Sequence, residues 1–142
     1  MTDYYYDSIS VDVLESFVAA FLGFFMFIFM ITFLIAIVSI IFKWKVFTKA
    51  GKPGWAVLIP IYNLVVMFEI ASMPVWNILL LLIPFVNIYI LIRMLVNISR
   101  NFGKPGMFAL GLFFLPVIFW GILAFDNSTY NPVIEKVNSD LA

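Results

Sequence analysis

The sequence has no cysteine, no histidine and few charged residues, and each of these absences excludes a class of chemistry. Without cysteine there are no disulfide bonds from which a redox compartment could be inferred. The imidazole and thiolate ligands that most transition-metal sites use are missing as well. The 8 basic and 8 acidic residues cancel, so no net positive charge favours binding to nucleic acid. We therefore predict no metal, no cofactor and no nucleic-acid partner.

Apolar residues, by contrast, are abundant. Of the 142 residues, 65% are hydrophobic and 11% are charged. Ordinary soluble domains have about 45–50% apolar and about 25% charged residues. A soluble fold of this length leaves much of its surface in water and could not bury so many apolar side chains. The composition predicts an all-α membrane protein whose main partner is the lipid bilayer.

Two basic loops and a turn at Met73-Pro74 separate four apolar stretches, which we interpret as four transmembrane helices at about residues 17–42, 55–72, 75–98 and 107–125. An acidic extracytoplasmic segment, 1–16, precedes this transmembrane domain (17–125), and a polar extracytoplasmic tail, 126–142, follows it. The first stretch is longer than the roughly 20 apolar residues that a crossing needs. It also lacks the basic start and short apolar core of a cleavable signal peptide. The second stretch is short, so a re-entrant 55–72 with three true crossings is the alternative.

Both loops between the apolar stretches are basic, which predicts the orientation. The residues concerned are Lys43, Lys45, Lys49 and Lys52 in one loop, and Arg100 and Lys104 in the other. The positive-inside rule places such loops in the cytoplasm. Four crossings then put both termini outside. The re-entrant alternative places the second basic loop outside, against the positive-inside rule.

The middle of the chain contains an internal echo. Residues 58–63 read LIPIYN and residues 82–87 read LIPFVN, while Lys-Pro-Gly occurs at 52–54 and again at 104–106. Because proline interrupts helical hydrogen bonding, we predict helix breaks at Pro60, Pro84 and Pro116. The second and third spans then form a proline-broken hairpin. Repeats of this kind occur in transporters, but a small duplication, or chance in a chain with 7 prolines, also explains the echo.

Two asparagines are predicted to lie deep in the bilayer. Asn63 and Asn87 are each roughly 18 Å along a helix from the turn at Pro74, which is close to mid-bilayer. One interpretation is a hydrogen bond between the two amides across the hairpin. The other is that each amide binds a backbone carbonyl that a nearby proline leaves free.

Two charged residues fall inside the apolar stretches, and such charges are functional candidates. Within the predicted hairpin Glu69 lies near the outer turn and Arg93 near the cytoplasmic end, on the order of 20 Å apart, so we expect no ion pair between them. Arg93 can extend its side chain to the inner interface, and Glu69 can reach water at the outer interface. Of the two, Glu69 is the better candidate for a functional residue.

Several of these segments together resemble a known family. Residues 49–55 read KAGKPGW, followed by IPIYN at 59–63, IPFVN at 83–87 and FGK at 102–104. Over about residues 42–130 the chain resembles a widespread family of small bacterial integral membrane proteins of unknown function, which are sometimes labelled signal peptidase I. The resemblance implies a multi-pass protein of the bacterial cytoplasmic membrane, and it implies no mechanism.

The chain does not contain the residues that a signal peptidase needs. Such a protease requires a serine nucleophile and a lysine base within hydrogen-bond reach on the outer face. In the predicted topology the only outer lysine is Lys136, with Ser128 and Ser139 near it in the tail. No paired acids or phosphate-binding loop suggest other catalysis. We predict a protein that is not an enzyme.

Two functional hypotheses remain. The first is an accessory, assembly or immunity-type module that binds another membrane protein or a second copy of itself through helix–helix contacts. The second is an oligomeric channel or carrier for a small solute or ion, with a path lined by Asn63, Asn87 and Glu69. Broken helices with polar residues at mid-depth suit the second hypothesis. The lack of catalytic groups and the small extramembrane mass favour the first.

Overall fold

A computed structural model describes residues 1–132 of the chain, and residues 2–9 by their backbone alone. This part is all-helical and has no strand, which confirms the all-α prediction. The α-helices are α1 (Thr2–Lys49), α2 (Pro60–Ile70), α3 (Val86–Asn101), α4 (Phe108–Phe114) and α5 (Pro116–Phe125). Two 3₁₀ helices precede α2 and α3, at Gly54–Leu58 and Val75–Leu82. The tail beyond residue 132, including Lys136 and Ser139, lies outside the described residues.

The chain divides into two compact units, Met1–Ile37 and the remainder from Val38. The first unit is a single stretch of α1, and all its side chains from Ser10 onward are exposed. α1 begins well before the predicted start of the first span because no proline or glycine precedes Gly23. Of the described helices, the part of α1 from Ser10 to Lys49 is long and apolar enough to cross a membrane.

The second unit repeats one arrangement three times: a short helix, a proline break and a second helix. In the first hairpin the 3₁₀ helix Gly54–Leu58 packs against α2. In the second hairpin the 3₁₀ helix Val75–Leu82 packs against α3, and in the third hairpin α4 packs against α5. The internal echo of the sequence therefore has three copies in the structure. Each of its two sequence motifs occurs in only two of them.

Each hairpin begins after the same helix ending. A residue with positive φ terminates the preceding helix, at Gly51 (φ 72), Ser72 (φ 54) and Gly103 (φ 72). The next residue donates its N–H to a carbonyl five residues back, with N···O distances of 2.8 Å for Lys52 and Phe47, 2.9 Å for Met73 and Phe68, and 2.8 Å for Lys104 and Ser99. This is a Schellman motif, and in all three places a proline follows it and prevents the helix from resuming.

The three hairpin tips are also alike. An apolar residue and a proline form each tip: Ile59-Pro60, Ile83-Pro84 and Leu115-Pro116. α2 and α5 start at their prolines, where a missing N–H breaks no helical bond. α3 starts two residues after Pro84, because Phe85 has a positive φ of 70°. The predicted breaks at all three prolines thus fall at helix boundaries.

The prediction of four long spanning helices is not confirmed. The stretches 55–72, 75–98 and 107–125 are each divided by their proline into two short helices. The longest of these, α3, measures about 24 Å, and α2 and α5 measure about 15–16 Å. A hydrocarbon layer is about 30 Å thick. Periodicity and apolar length cannot reveal a chain reversal that a single proline produces.

The packed core of the second unit lies at the open end of the hairpins, away from the tips. Its largest fully buried side chains include Phe47, Phe68, Ile98, Phe102 and Leu123, all close to the helix ends that precede or follow a hairpin. At the tips, large apolar side chains are exposed instead: Leu82 is 81% and Phe85 85% exposed. The unit is therefore tightly packed at the open end of the hairpins, whereas at the tips its apolar side chains are largely exposed.

Candidate functional site

A polar contact closes each hairpin at its open end. In the first hairpin Lys52 Nζ lies 2.8 Å from Glu69 Oε2. In the second, Asn101 donates from Nδ2 to the carbonyl of Ile70 at 2.8 Å and to Ser72 Oγ at 3.1 Å. In the third, Lys104 Nζ forms an ion pair with Asp126 Oδ2. We call the layer that these contacts form the polar base. It comprises the residues named above together with Lys49 and Tyr130.

These contacts show that each hairpin returns to the level at which it started. An uninterrupted path from Lys52 through both helices of the first hairpin to Glu69 would extend roughly 25–30 Å. Two side chains of this length cannot bridge such a gap, yet they meet at 2.8 Å. The same reasoning applies to Lys104 and Asp126 across α4 and α5. The two ends of each of these stretches therefore lie at the same end of their hairpin.

Lys49 and Asp126 form the centre of the polar base. Lys49 Nζ donates to Asp126 Oδ1 at 2.9 Å, and to the carbonyls of Leu123 at 2.7 Å and Asp126 at 2.8 Å. It thereby satisfies carbonyls at the end of α5, where a positive charge is favourable. Burial raises the pKa of Asp126, but hydrogen bonds from Lys104, Ser128 and Lys49 outweigh it and hold that pKa well below its usual range. The carboxylate is therefore ionised at neutral pH.

The segment after α5 joins the hairpins to one another. Tyr130 donates its hydroxyl to the carbonyl of Ile70 at 3.1 Å, and its ring lies 5.4 Å from that of Phe102. The N–H of Asn131 donates to the carbonyl of Asn101 at 2.7 Å. Ile70 and Asn101 end α2 and α3, so this segment supplies partners to two helix ends. Residues 126–132 are thus part of the polar base, although the sequence predicts that they begin a separate tail.

The polar base contains a serine–lysine contact, because Lys49 Nζ lies 3.1 Å from Ser128 Oγ. In this contact Lys49 donates and the Ser128 oxygen accepts, and both groups also have other partners. The three protons of the lysine ammonium already have two carbonyls and a carboxylate oxygen as acceptors. The Ser128 hydroxyl donates to Asp126 Oδ1. The ammonium and the hydroxyl are thus both engaged by Asp126.

Glu69 and Arg93 lie in different surroundings, and no ion pair between them is present in the described part of the chain. Glu69 pairs with Lys52 in the polar base. The four-crossing prediction instead places these two residues on opposite sides of the membrane. Arg93 lines a shallow pocket on α3 together with Asn97 and Arg100. These three residues recur at every three or four positions, so they share one face of the helix.

Asn63 and Asn87 both lie in the first turn that follows a hairpin tip. Their backbone N–H groups donate to Ile59 and Ile83, at 2.7 Å and 3.0 Å. The Asn63 Oδ1 atom is buried and accepts no hydrogen bond from any described residue. A hydrogen bond between the Asn63 and Asn87 amides, as the sequence predicts, is therefore not formed through this oxygen. Because the chain reverses at Pro60 and at Pro84, counting residues from Pro74 does not measure depth.

Sequence reasoning missed the residues that organise the polar base. The sequence places Asp126 at the start of the tail and Lys49 in a basic loop, and it gives no reason to single out Asn101. One signal in the sequence could have indicated Asp126. It directly follows the last apolar stretch, and Lys49 and Lys104 likewise lie in the segments that flank the apolar stretches. No group of three or more acidic side chains that could bind a metal ion occurs in the described residues.

A comparison with protein families gives a match over more than half of the chain. The sequence model of a family of unknown function, DUF5684, matches residues 55–132. The matched stretch starts in the 3₁₀ helix of the first hairpin and ends after Asn131, so it contains all three hairpins and the segment that joins them. No curated protein and no solved structure matches the chain.

Proposed function

The chain belongs to the DUF5684 family of unknown function, and we propose that it is a non-catalytic membrane module that inserts three re-entrant hairpins into one leaflet. The closure of each hairpin by a polar contact carries this proposal. In this arrangement the polar base lies at the aqueous interface and the three tips point toward the bilayer centre. α1 supplies one complete crossing.

The distribution of apolar surface supports insertion. At the tips, Ile61 is 74%, Leu82 81% and Phe114 73% exposed. A soluble protein rarely leaves so much contiguous apolar surface in water. Each hairpin also keeps its helical backbone hydrogen bonds internal, which a segment surrounded by lipid requires.

The lengths of α2 and α5, though not that of α3, match the thickness of a single leaflet. α2 and α5 each extend about 15–16 Å, which is about half of a 30 Å hydrocarbon layer. The re-entrant interpretation of 55–72, which the sequence left as an alternative, here extends to all three stretches. With the lysine-bearing base in the cytoplasm, as the positive-inside rule favours, residues 126–132 are cytoplasmic and the N-terminus is outside. This topology replaces the four crossings and the external C-terminus, and it fits the bacterial inner membrane.

The proposed role is binding to another membrane protein or to a second copy, as an accessory or assembly factor. The Ser128 hydroxyl and the Lys49 ammonium are engaged by Asp126, so the polar base offers no activated nucleophile. The channel or carrier hypothesis has no comparable support, since the charge of Glu69 is compensated by Lys52.

Single-cysteine labelling tests the topology, and the absence of native cysteine makes each introduced thiol unique. Thr48→Cys and Asn127→Cys place thiols at exposed positions before the first hairpin and after the third. We expect a membrane-impermeant maleimide to modify both in inverted vesicles and neither in intact cells. Modification of Asn127→Cys from outside, with Thr48→Cys protected, would restore the four-crossing topology.

A further inference from the structure

The second and third hairpins meet along an apolar groove that is open to the surroundings. The groove has a volume of about 350 Å³, and its lining includes Ile92 and Val96 of α3 together with Met107, Leu110, Phe113 and Phe114 around α4. Its polar lining is negligible, and Met107 is 77% and Phe114 73% exposed. The groove runs from Gly106, next to the polar base, to Phe114, next to the tip of the third hairpin.

A basic pocket adjoins this groove on α3. Arg93, Asn97 and Arg100 line it, and Ile92 and Val96 line both the pocket and the groove. The Arg100 guanidinium reaches the mouth of the groove, where its Nε and Nη2 atoms lie 3.9 Å from the position of a Cβ on Gly106. No carboxylate of the described residues forms an ion pair with Arg93 or Arg100, whereas Lys49, Lys52 and Lys104 all have one.

We propose that the groove and the pocket together bind one anionic phospholipid, with the phosphate at Arg93 and Arg100 and an acyl chain along α4. This proposal rests on the re-entrant arrangement of the proposed function. In that arrangement Arg100 lies near the headgroup level, and Arg93 lies about 10 Å deeper along the helix axis. An arginine at that depth requires an anionic partner or a route to the interface.

The chemistry of the site matches an anionic lipid better than a neutral one. Two guanidinium groups can bind one phosphate through charge-assisted hydrogen bonds. A zwitterionic lipid would bring its own cation close to these groups, whereas phosphatidylglycerol would not. The apolar groove runs in the same direction as the acyl chain of a lipid in that leaflet. Basic pockets at the cytoplasmic side of membrane proteins are known to bind anionic headgroups in this way.

Native mass spectrometry of the full chain tests the proposal. The protein is exchanged from mixed phosphatidylglycerol and phosphatidylcholine micelles, and the retained lipid of each kind is counted. For the wild type we expect about a 25-fold preference for phosphatidylglycerol, which Arg93→Gln/Arg100→Gln should abolish, because each of the two arginines contributes about fivefold. Leu110→Trp fills the groove without changing the charge and should also lower retention. Lys45→Gln removes a charge elsewhere and should leave the preference unchanged.

Three results would overturn the lipid site: equal retention of both lipids by the wild type, an equal loss in Lys45→Gln, or full retention in Leu110→Trp. Thermal unfolding in phosphatidylcholine micelles identifies any variant that fails to fold, and the groove and arginine variants provide independent tests. The cysteine labelling described above distinguishes a failure of the lipid site from a failure of the proposed re-entrant topology. Thiols labelled on one side together with no lipid preference would remove the lipid site alone.

Discussion

At the scale of the residue, the polar base depends most on Asp126, because its carboxylate pairs with two lysines from different parts of the chain. Lys49 comes from α1 and Lys104 from the start of the third hairpin. The Asp126 side chain is 20% exposed, so the pairs are partly shielded from water and are less screened than surface pairs. Removal of the carboxylate leaves two ammonium groups close together without a counter-charge.

We therefore expect Asp126→Asn to lower the free energy of unfolding by about 1–3 kcal/mol, below the range for a fully buried pair. Thermal unfolding in detergent measures the loss. Glu15→Gln, which removes an exposed acidic residue of α1, is the control and should change stability by less than about 0.5 kcal/mol. Equal effects of the two substitutions would show that Asp126 does not organise the polar base.

The pH dependence of this effect follows from the lowered pKa of Asp126. A carboxyl group whose pKa is lower in the folded state stabilises the fold fully above its unfolded pKa of about 3.9, and this contribution is lost as the pH falls further. The difference in stability between the wild type and Asp126→Asn should be constant from about pH 5 to pH 8 and should shrink below about pH 4. A difference that already shrinks between pH 7 and pH 5 would contradict the assignment.

At the scale of the element, each hairpin depends on a helix ending that needs positive φ. Gly103 has φ 72, and an added Cβ would meet no atom within 4 Å, so only backbone strain opposes a larger residue. Gly103→Ala should reduce stability by about 1 kcal/mol. Gly106→Ala is a matched control in the same loop, because its added Cβ would make an ordinary contact with Val96 at 3.7 Å. Equal melting temperatures for the two variants would show that the Schellman ending contributes nothing.

The third hairpin depends on the close approach of α4 and α5. A Cβ added at Gly111 would lie 2.1 Å from the ring of Phe119, and that ring also packs on Phe108 at 4.9 Å. Gly111→Ala should therefore destabilise the protein by about 1–3 kcal/mol through overpacking. In the double variant Gly111→Ala/Phe119→Leu the smaller side chain should recover part of this loss. If the two substitutions add independently, the two helices are not packed as described.

Local features of these elements could be predicted from the sequence, whereas their mutual arrangement could not. Proline breaks at Pro60, Pro84 and Pro116 follow from the chemistry of the residue itself. The Lys-Pro-Gly segments of the first and third hairpins are visible as an echo. The corresponding segment of the second hairpin, which follows Ser72, shares only its backbone conformation with them. A serine with positive φ has no sequence signature, so the repeat could not be completed before the structure was known.

At the scale of the whole molecule, the same limitation explains why the proposed topology differs from the one that the sequence predicts. Hydropathy measures how apolar a stretch is, and the hairpins are as apolar as true crossings. What distinguishes them is whether the two ends of a stretch meet, and that depends on long-range pairs such as Lys104 with Asp126. For the described residues the all-helical prediction is confirmed, and so is membership of a family of unknown function.

The re-entrant arrangement has its most direct test at Val75, which follows the second Schellman ending and is 38% exposed. Four crossings put this position at the outer face, whereas three re-entrant hairpins put it at the polar base in the cytoplasm. A Val75→Cys variant should react with an impermeant maleimide in inverted membrane vesicles and remain unmodified in intact cells. Modification of this thiol from outside intact cells would contradict the arrangement.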